Sequence, residues 1–210
     1  MEHLIKLYKK ESNDAFISIS NSSIVDFVNL IIKAYQNEKK VFACGNGGNV
    51  ASVQNLVLDL NMHPFVSEDK SKRKGKRNQF QAISLCDSSA AITGMTNDIG
   101  FENIFAEQLR YQASEGDILF AMSGSGNSKN IVSALAWCND RYNISTALIS
   151  GQKSNCLDEK INEVCFEKDY FHTVEILSEM TFYQLIHGTG NSCPTIKSEL
   201  IRKYGRSDAT

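Results

Sequence analysis

Two junctions in this chain pass from a short apolar run, through small residues, into a helical pattern. The first joins residues 41–44 (VFAC) to residues 45–49 (GNGGN), and the second joins residues 118–122 (ILFAM) to residues 123–128 (SGSGNS). Glycine lets the backbone approach an anion closely and adopt a positive φ. The following helix N-terminus supplies free N–H groups and the positive end of a dipole. One such turn is a weak signal, but two in this order, one of them rich in serine, predict a bound phosphate.

The rest of the chain alternates strands and helices after two helical patterns at the start. Apolar residues recur at helical spacing in residues 4–19 and 24–35, with a capping turn at residues 21–23 between them. Predicted strands cover residues 41–44, 81–85, 118–122, 145–150 and 164–167, and predicted helices cover residues 50–61, 101–113, 129–139, 157–160 and 173–187. This order predicts a parallel sheet with helices on both faces and a ligand at the carboxyl ends of the strands. The apolar stripes of the two leading helices have no obvious cover within the chain, so we expect them to form an interface between subunits.

Length and composition restrict the possibilities further. The 210 residues fit one domain, which we divide into a helical pair (1–38), the main domain (39–190) and a C-terminal extension (191–210). The formal net charge is −2, and no run is long and apolar enough for a signal peptide or a membrane span. Six scattered cysteines without a C-x-x-C pair are typical of reduced, buried thiols. We therefore expect a cytoplasmic protein with no membrane partner.

Four motifs in order carry a family resemblance. They are residues 45–48 (GNGG), 96–102 (TNDIGFE), 116–117 (GD) and 123–128 (SGSGNS). Together they resemble the sugar isomerase (SIS) domain family, and within it the bacterial phosphoheptose isomerases, over roughly residues 1–187. The resemblance implies a flavodoxin-like five-stranded parallel sheet and a homotetramer with active sites between subunits. It also implies aldose–ketose isomerisation of a phosphorylated sugar of the sedoheptulose 7-phosphate type, in heptose or surface-glycan biosynthesis.

The resemblance also implies which residues bind the substrate. The phosphate would be held by the serines of the second turn, and the sugar would be lined by residues of the first turn and of the TNDIGFE motif. The expected set is Ser123, Ser125 and Ser128 for the phosphate, with Asn46, Gly47, Asn49, Asn97 and Asp98 for the rest of the substrate. Members of the family usually carry a serine where this chain has Asn49, whose side chain still offers a hydrogen-bond donor.

The chain departs from the family at the positions that carry the chemistry. Members usually have a histidine and a glutamate on the helix after the first turn, and those positions here are Asn55 and Asp59. On the late helix a glutamine and a histidine correspond to Glu175 and Tyr183. These four positions hold zinc in metal-bound members, and none of the four residues is retained. We therefore expect no zinc and no other cofactor.

Two interpretations of the altered site follow. Isomerisation through an enediolate needs one group to move a proton at carbon and a second group to handle the oxygens. Asp59 and Glu175 would form a carboxylate pair in which one pKa is raised, with Tyr183 as a donor. Alternatively, the protein binds a sugar phosphate or a protein partner without turnover, as a regulator or scaffold of the same fold.

A basic run at residues 70–77 has no counterpart in the usual family pattern. One interpretation is a solvated loop, because like charges repel, and the other is an electrostatic collar that attracts an anionic ligand or partner. Without interleaved aromatic residues, the run does not predict nucleic-acid binding. His3 and His63 are interpreted as ordinary surface or loop residues.

Overall fold

A computed structural model describes residues 1–66, 71–73, 79–141, 143–151, 162–165 and 180–181. Five parallel strands form one sheet in the order β2-β1-β3-β4-β5. The strands are β1 (Lys40–Gly45), β2 (Gln81–Ser84), β3 (Ile118–Ser123), β4 (Ser145–Ser150) and β5 (Asn162–Cys165). The helices are α1 (Glu2–Ile17), α2 (Asn21–Gln36), α3 (Gly48–Met62), α4 (Ser89–Ile99), α5 (Ile104–Gln112) and α6 (Lys129–Arg141), with short 3₁₀ turns at His63–Phe65 and Phe101–Asn103. The predicted flavodoxin-like sheet is confirmed.

Apolar side chains on both faces of the sheet explain why the strands read as continuous apolar runs. Successive residues of a strand point to opposite faces. In β1, Val41 and Ala43 pack with α2 and α3 on one face, whereas Phe42 and Cys44 pack with α5 and α6 on the other. A parallel sheet covered on both faces needs apolar residues at every position rather than at alternate ones.

The N-terminal helices have different surroundings, and one expectation about them was wrong. The apolar stripe of α2, including Phe27, Val28 and Ile31, is buried against the sheet of its own chain. It therefore needs no partner subunit. In α1 the corresponding stripe is exposed, with Leu4 at 61% and Tyr8 at 71%. The cap of α2 is Ser20, whose hydroxyl accepts from the Ser23 N–H, so the helix starts at Asn21 inside the predicted turn.

Other differences concern element boundaries. α4 was not predicted at all, and none of its residues is buried. The predicted helix 101–113 is a 3₁₀ turn followed by α5, and β5 begins two residues before the predicted strand 164–167. The predicted helix 157–160, most of the predicted helix 173–187 and the extension 191–210 lie outside the described residues. Among the described residues, no helix combines the length and apolar character that crossing a bilayer requires.

The order of the strands creates a crevice between β1 and β3. From β1 the chain passes through α3, on one face of the sheet, to β2 on one side of β1. From β3 it passes through α6, on the opposite face, to β4 on the other side. The two connections therefore separate at the carboxyl ends of β1 and β3. Such a topological switch point is where open α/β sheets bind ligands. Gly45 and Met122 are paired directly at this edge, which brings both glycine-rich turns together.

Candidate functional site

The first turn depends on two glycines for its shape. Gly47 has φ +56° and ψ −124°, a conformation that side chains with a Cβ rarely adopt, and it caps α3. A Cβ on Gly45 would lie 2.9 Å from the Asn49 Cβ, so the absence of a side chain lets α3 begin directly over the end of β1. The turn therefore holds Asn46 and Asn49 at the carboxyl edge of the sheet, as predicted.

The second turn is tied together by its serines. The hydroxyls of Ser123 and Ser128 lie 3.0 Å apart, and Ser128 supplies the carbonyl that accepts the first hydrogen bond of α6 from the Val132 N–H. The Ser125 hydroxyl accepts from the Asn127 N–H at 3.2 Å, and Ser125 itself is exposed. The three serines thus surround the N-terminus of a 13-residue helix, where backbone N–H groups and the helix dipole favour an anion.

A pair of asparagines joins the two turns across the crevice. Asn46 Nδ2 donates to Asn130 Oδ1, and Asn130 Nδ2 donates to Asn46 Oδ1, both at 2.9 Å. Asn130 Oδ1 also accepts from the Ile131 N–H at 3.0 Å. Asn130 was not among the predicted site residues. The only local signal for it is an asparagine two residues beyond the serine run, at the start of α6.

Asn49 has an unusual environment for a polar side chain. It is 7% exposed, and its Oδ1 is buried without a hydrogen-bond partner among the described residues. Leaving a buried acceptor unsatisfied costs about 1–3 kcal/mol. A ligand that placed a hydrogen-bond donor there would remove this cost, which fits the predicted substrate-binding role.

Asn97 and Asp98 lie on the last turn of α4. Both are exposed, and Asn97 Nδ2 donates to Asp98 Oδ1 at 3.0 Å. Gly100 follows with φ +86° and ends the helix by donating its N–H to the Thr96 carbonyl. The TNDIGFE motif therefore encodes the end of a helix, and its predicted contact with substrate stays a prediction.

The third motif, residues 116–117, has a structural role at the opposite edge of the sheet. The buried Asp117 carboxylate accepts from the Lys40 N–H at 2.9 Å and from the Ser114 N–H at 2.8 Å. Its carbonyl accepts from the Ser145 N–H. Asp117 thus connects the starts of β1, β3 and β4. The preceding Gly116 has φ +83°, which the tight turn into β3 requires.

Asp59 lies on α3, eleven residues after Gly48, or roughly 16 Å along the helix axis at 1.5 Å per residue. It is buried, and Asn55 Nδ2 donates to its Oδ2 at 3.1 Å. His63 Nδ1 lies 3.4 Å from the other oxygen, Oδ1. His63 was interpreted as a surface or loop residue, and this was wrong, because only 12% of its side chain is exposed. Glu175 and Tyr183 lie outside the described residues.

Asn55 and Asp59, the two described positions that correspond to zinc ligands in metal-bound members of the family, do not fit a zinc ion. A neutral amide such as Asn55 is not a usual zinc ligand, and here it donates to the carboxylate of Asp59. Within the described ranges, no three His, Cys, Asp or Glu side chains converge as a metal-ion site would require. The expected absence of zinc stays a prediction, because two of the four positions lie outside those ranges.

A family model for the SIS domain matches residues 7–150, which is more than half of the chain. The chain belongs to the SIS domain family. This SIS chain is 37% identical to phosphoheptose isomerase 2 of Campylobacter jejuni over 129 residues, covering 61% of this chain and 59% of the relative. It is 33% identical to the phosphoheptose isomerase of Nitratiruptor over 135 residues, covering 64% of each. The SIS chain thus spans about three fifths of the length of these curated relatives.

Solved structures of phosphoheptose isomerases share the fold of this chain. A phosphoheptose isomerase from Francisella tularensis matches with a TM-score of 0.73 at 25% identity, covering 85% of this chain and 96% of that one. One from Neisseria gonorrhoeae matches with a TM-score of 0.72 at 20% identity, covering 86% and 97%. The resemblance drawn from the motifs of this SIS chain is confirmed.

Proposed function

We propose that this chain is an aldose–ketose isomerase that acts on a sugar phosphate of the sedoheptulose 7-phosphate type. The observation that carries the proposal is the serine-lined turn at the switch point, where the Ser123 and Ser128 hydroxyls lie 3.0 Å apart at the start of α6. Membership of the SIS family and the names of the relatives support the same class of substrate. Because a fold hosts many functions, the argument depends on this site rather than on the fold.

The phosphate binds at the N-terminus of α6 in this proposal. The hydroxyls of Ser123, Ser125 and Ser128 donate to its oxygens, together with backbone N–H groups of the turn. The sugar then extends along the first turn, past Asn46 and Gly47. Asn49 Oδ1, buried without a protein partner among the described residues, accepts a hydrogen bond from a sugar hydroxyl.

The proton transfers of the reaction need groups beyond this turn. We assign them to Asp59, together with Glu175 and Tyr183 of the late part of the chain. One group takes a proton from the carbon beside the carbonyl, and another moves a proton between the two oxygens of the enediolate. No step in this scheme uses a metal ion.

Asp59 and the serine turn come from different subunits in this proposal. Asp59 is displaced by roughly 16 Å along α3 from the edge of the sheet where the phosphate binds, well beyond hydrogen-bond reach of it. A homotetramer in which the serine turn of one copy faces Asp59 of another would complete the site. The exposed apolar residues of α1 supply surface for such an assembly. The protein would act in the cytoplasm, in heptose or surface-glycan biosynthesis.

The test is isomerisation by the purified protein. Sedoheptulose 7-phosphate and several other phosphorylated ketoses are incubated with the protein, with and without added Zn²⁺, and the aldose product is followed by NMR. We expect conversion of at least one ketose phosphate without added zinc. A protein that binds these sugars but converts none of them would instead support the alternative of a non-catalytic binder.

A further inference from the structure

Three side chains on the last part of α3 form a line. Asn55, Asp59 and His63 are spaced four residues apart, so they lie on one face of the helix and its 3₁₀ continuation. The carboxylate of Asp59 is in the middle. Asn55 Nδ2 contacts Oδ2 at 3.1 Å, and His63 Nδ1 lies 3.4 Å from Oδ1. Each carboxylate oxygen therefore has a side-chain neighbour within the same chain.

The burial of this line limits what Asp59 can do. The Asp59 side chain is 7% exposed, and a carboxylate removed from water is retained with donors around it. Asn55 fixes one oxygen, and His63 faces the other. With a side-chain neighbour at each oxygen, such a carboxylate is less suited to approaching the carbon of a substrate than the imidazole at its edge. It is well placed to hold an imidazole in one orientation.

Imidazole is the better proton carrier of the two. Acid–base catalysis is most efficient when the pKa of the group is near the working pH, and the reference pKa of an imidazole is near 6.5, against about 3.9 for an aspartate carboxyl. A carboxylate at one ring nitrogen fixes the tautomer, so the lone pair that takes a proton is on the other nitrogen. With Nδ1 facing Asp59, that reacting nitrogen is Nε2.

We propose that His63 carries the proton in the isomerisation and that Asp59 is its positioning residue. This inference rests on the proposed function. It adds a catalytic residue, His63, that was not among the residues predicted from the sequence. It changes the part assigned to Asp59, from direct base to the group that orients the base. The serine turn of a neighbouring subunit would still bind the phosphate of the substrate.

The step balances without any further reactant. The lone pair of neutral Nε2 takes a proton from the hydroxyl-bearing carbon beside the ketose carbonyl. The C–H electron pair becomes the C=C bond of an enediolate, and the carbonyl π pair moves to oxygen. The imidazolium returns the proton to the former carbonyl carbon, while a second group passes the hydroxyl proton from one oxygen to the other. The product is the aldose, and His63 is neutral again.

The first measurement compares two histidine variants with the wild type. His63→Gln retains an N–H donor for Asp59 but cannot carry a proton. We expect kcat to fall by about 100-fold to 10,000-fold, with KM within about threefold because the serine turn is untouched. His3→Gln, a matched change on the exposed part of α1, should leave both constants unchanged. A purely structural role of His63 would lower the melting temperature without this loss of kcat.

The second measurement is a double-mutant cycle. Asp59→Asn should lower kcat strongly, and adding His63→Gln should lower it little further, because residues that act as a unit are not additive. Independent, multiplicative losses would contradict the positioning role of Asp59. If His63→Gln does not fold, ¹⁵N NMR of the labelled wild type gives the tautomer of His63. We expect Nδ1 to be protonated and Nε2 to be unprotonated, and the opposite tautomer would overturn the proposal.

The outcomes separate this inference from the proposed function. A folded His63→Gln variant with kcat within threefold of wild type overturns the role of His63 and leaves the isomerase in place. A wild type that converts no ketose phosphate overturns the proposed function, and the role of His63 with it.

Discussion

The side-chain amides of Asn46 and Asn130 exchange two hydrogen bonds of 2.9 Å across the crevice between β1 and β3. The two residues are 84 positions apart, yet this pair fixes the two glycine-rich turns relative to each other. In the proposed site the second turn binds the phosphate and the first turn lines the sugar, so the spacing of the two turns would set the dimensions of that site. We therefore expect binding of a sugar phosphate to depend on this pair.

Removal of one amide should weaken both the fold and the site. Asn130→Ala leaves Asn46 without its partner, so we expect about 1–3 kcal/mol less unfolding free energy and weaker binding of sugar phosphates. Denaturant unfolding and calorimetric titration measure the two effects. Asn21→Ala, an exposed asparagine on α2, serves as the control and should change stability by less than about 0.5 kcal/mol. Equal stability of the two variants would contradict the structural role of the pair.

Assembly should depend on α1 and not on α2. Light scattering of the wild type at micromolar concentration should give about four times the chain mass of 23.4 kDa. Leu4→Glu with Leu7→Glu places charges in the exposed apolar stripe of α1 and should lower that mass, whereas Lys9→Glu on the same helix should not. A wild-type mass near that of one chain would rule out a site shared between subunits.

A shared site also predicts complementation between inactive variants. Asp59→Asn subunits retain the serine turn, and Ser125→Ala/Ser128→Ala subunits retain Asp59. Assemblies refolded from a mixture of the two should contain some sites with both native halves. We expect turnover well above the sum of the separate variants. A mixture that is no more active than its components would indicate that each chain holds its own complete site.

The buried thiols predict how stability depends on pH. Burial raises the pKa of the Cys138 thiol to about 12, and burial, followed by the neighbouring Cys86 and Cys138, raises the pKa of Cys44. The folded chain thus keeps protons that the unfolded chain loses above about pH 8.5. Their contribution to stability is complete below that pH and is lost as the pH rises toward 12, at up to about 1.4 kcal/mol per pH unit for each thiol.

Cys138→Ala tests this dependence. The variant should lose less unfolding free energy than the wild type as the pH rises from about 8.5 to about 12, because one thiol no longer titrates on unfolding. The comparison of the two pH profiles removes the contribution of other groups. Parallel profiles would show that Cys138 does not stay protonated in the folded state.

Much of the fold could be predicted from local pattern. The strands β1, β3 and β4 were predicted with nearly the right bounds because buried parallel strands are mostly apolar on both faces, and glycine-rich turns mark the ends of β1 and β3. α4 was missed although Ile92 and Met95 pack against the core, because most of its residues are small or polar and its apolar residues are only partly buried. The apolar stripe of α2 was visible, but a stripe does not say whether the sheet of its own chain or another subunit covers it.

The candidate site was predictable only where it depends on neighbours in sequence. Ser123, Ser125 and Ser128 form one turn, so their proximity follows from their spacing. Asn130 was missed because its role depends on a contact with a residue 84 positions away. His63 was missed although it lies four residues after Asp59, because the predicted helix ended at residue 61 and the spacing alone does not show that the turn after it is largely buried.

The most direct test of the central claim is the affinity for a sugar phosphate at the serine turn. Calorimetry should show that wild type binds sedoheptulose 7-phosphate and that Ser125→Ala/Ser128→Ala binds it about 30-fold or more weakly, because each of the two charge-assisted hydrogen bonds lost contributes roughly 1–3 kcal/mol. Ser133→Ala, further along α6, is the matched control and should bind like wild type. Equal affinity of the double variant and the wild type would contradict the assignment of the phosphate to the switch point between β1 and β3.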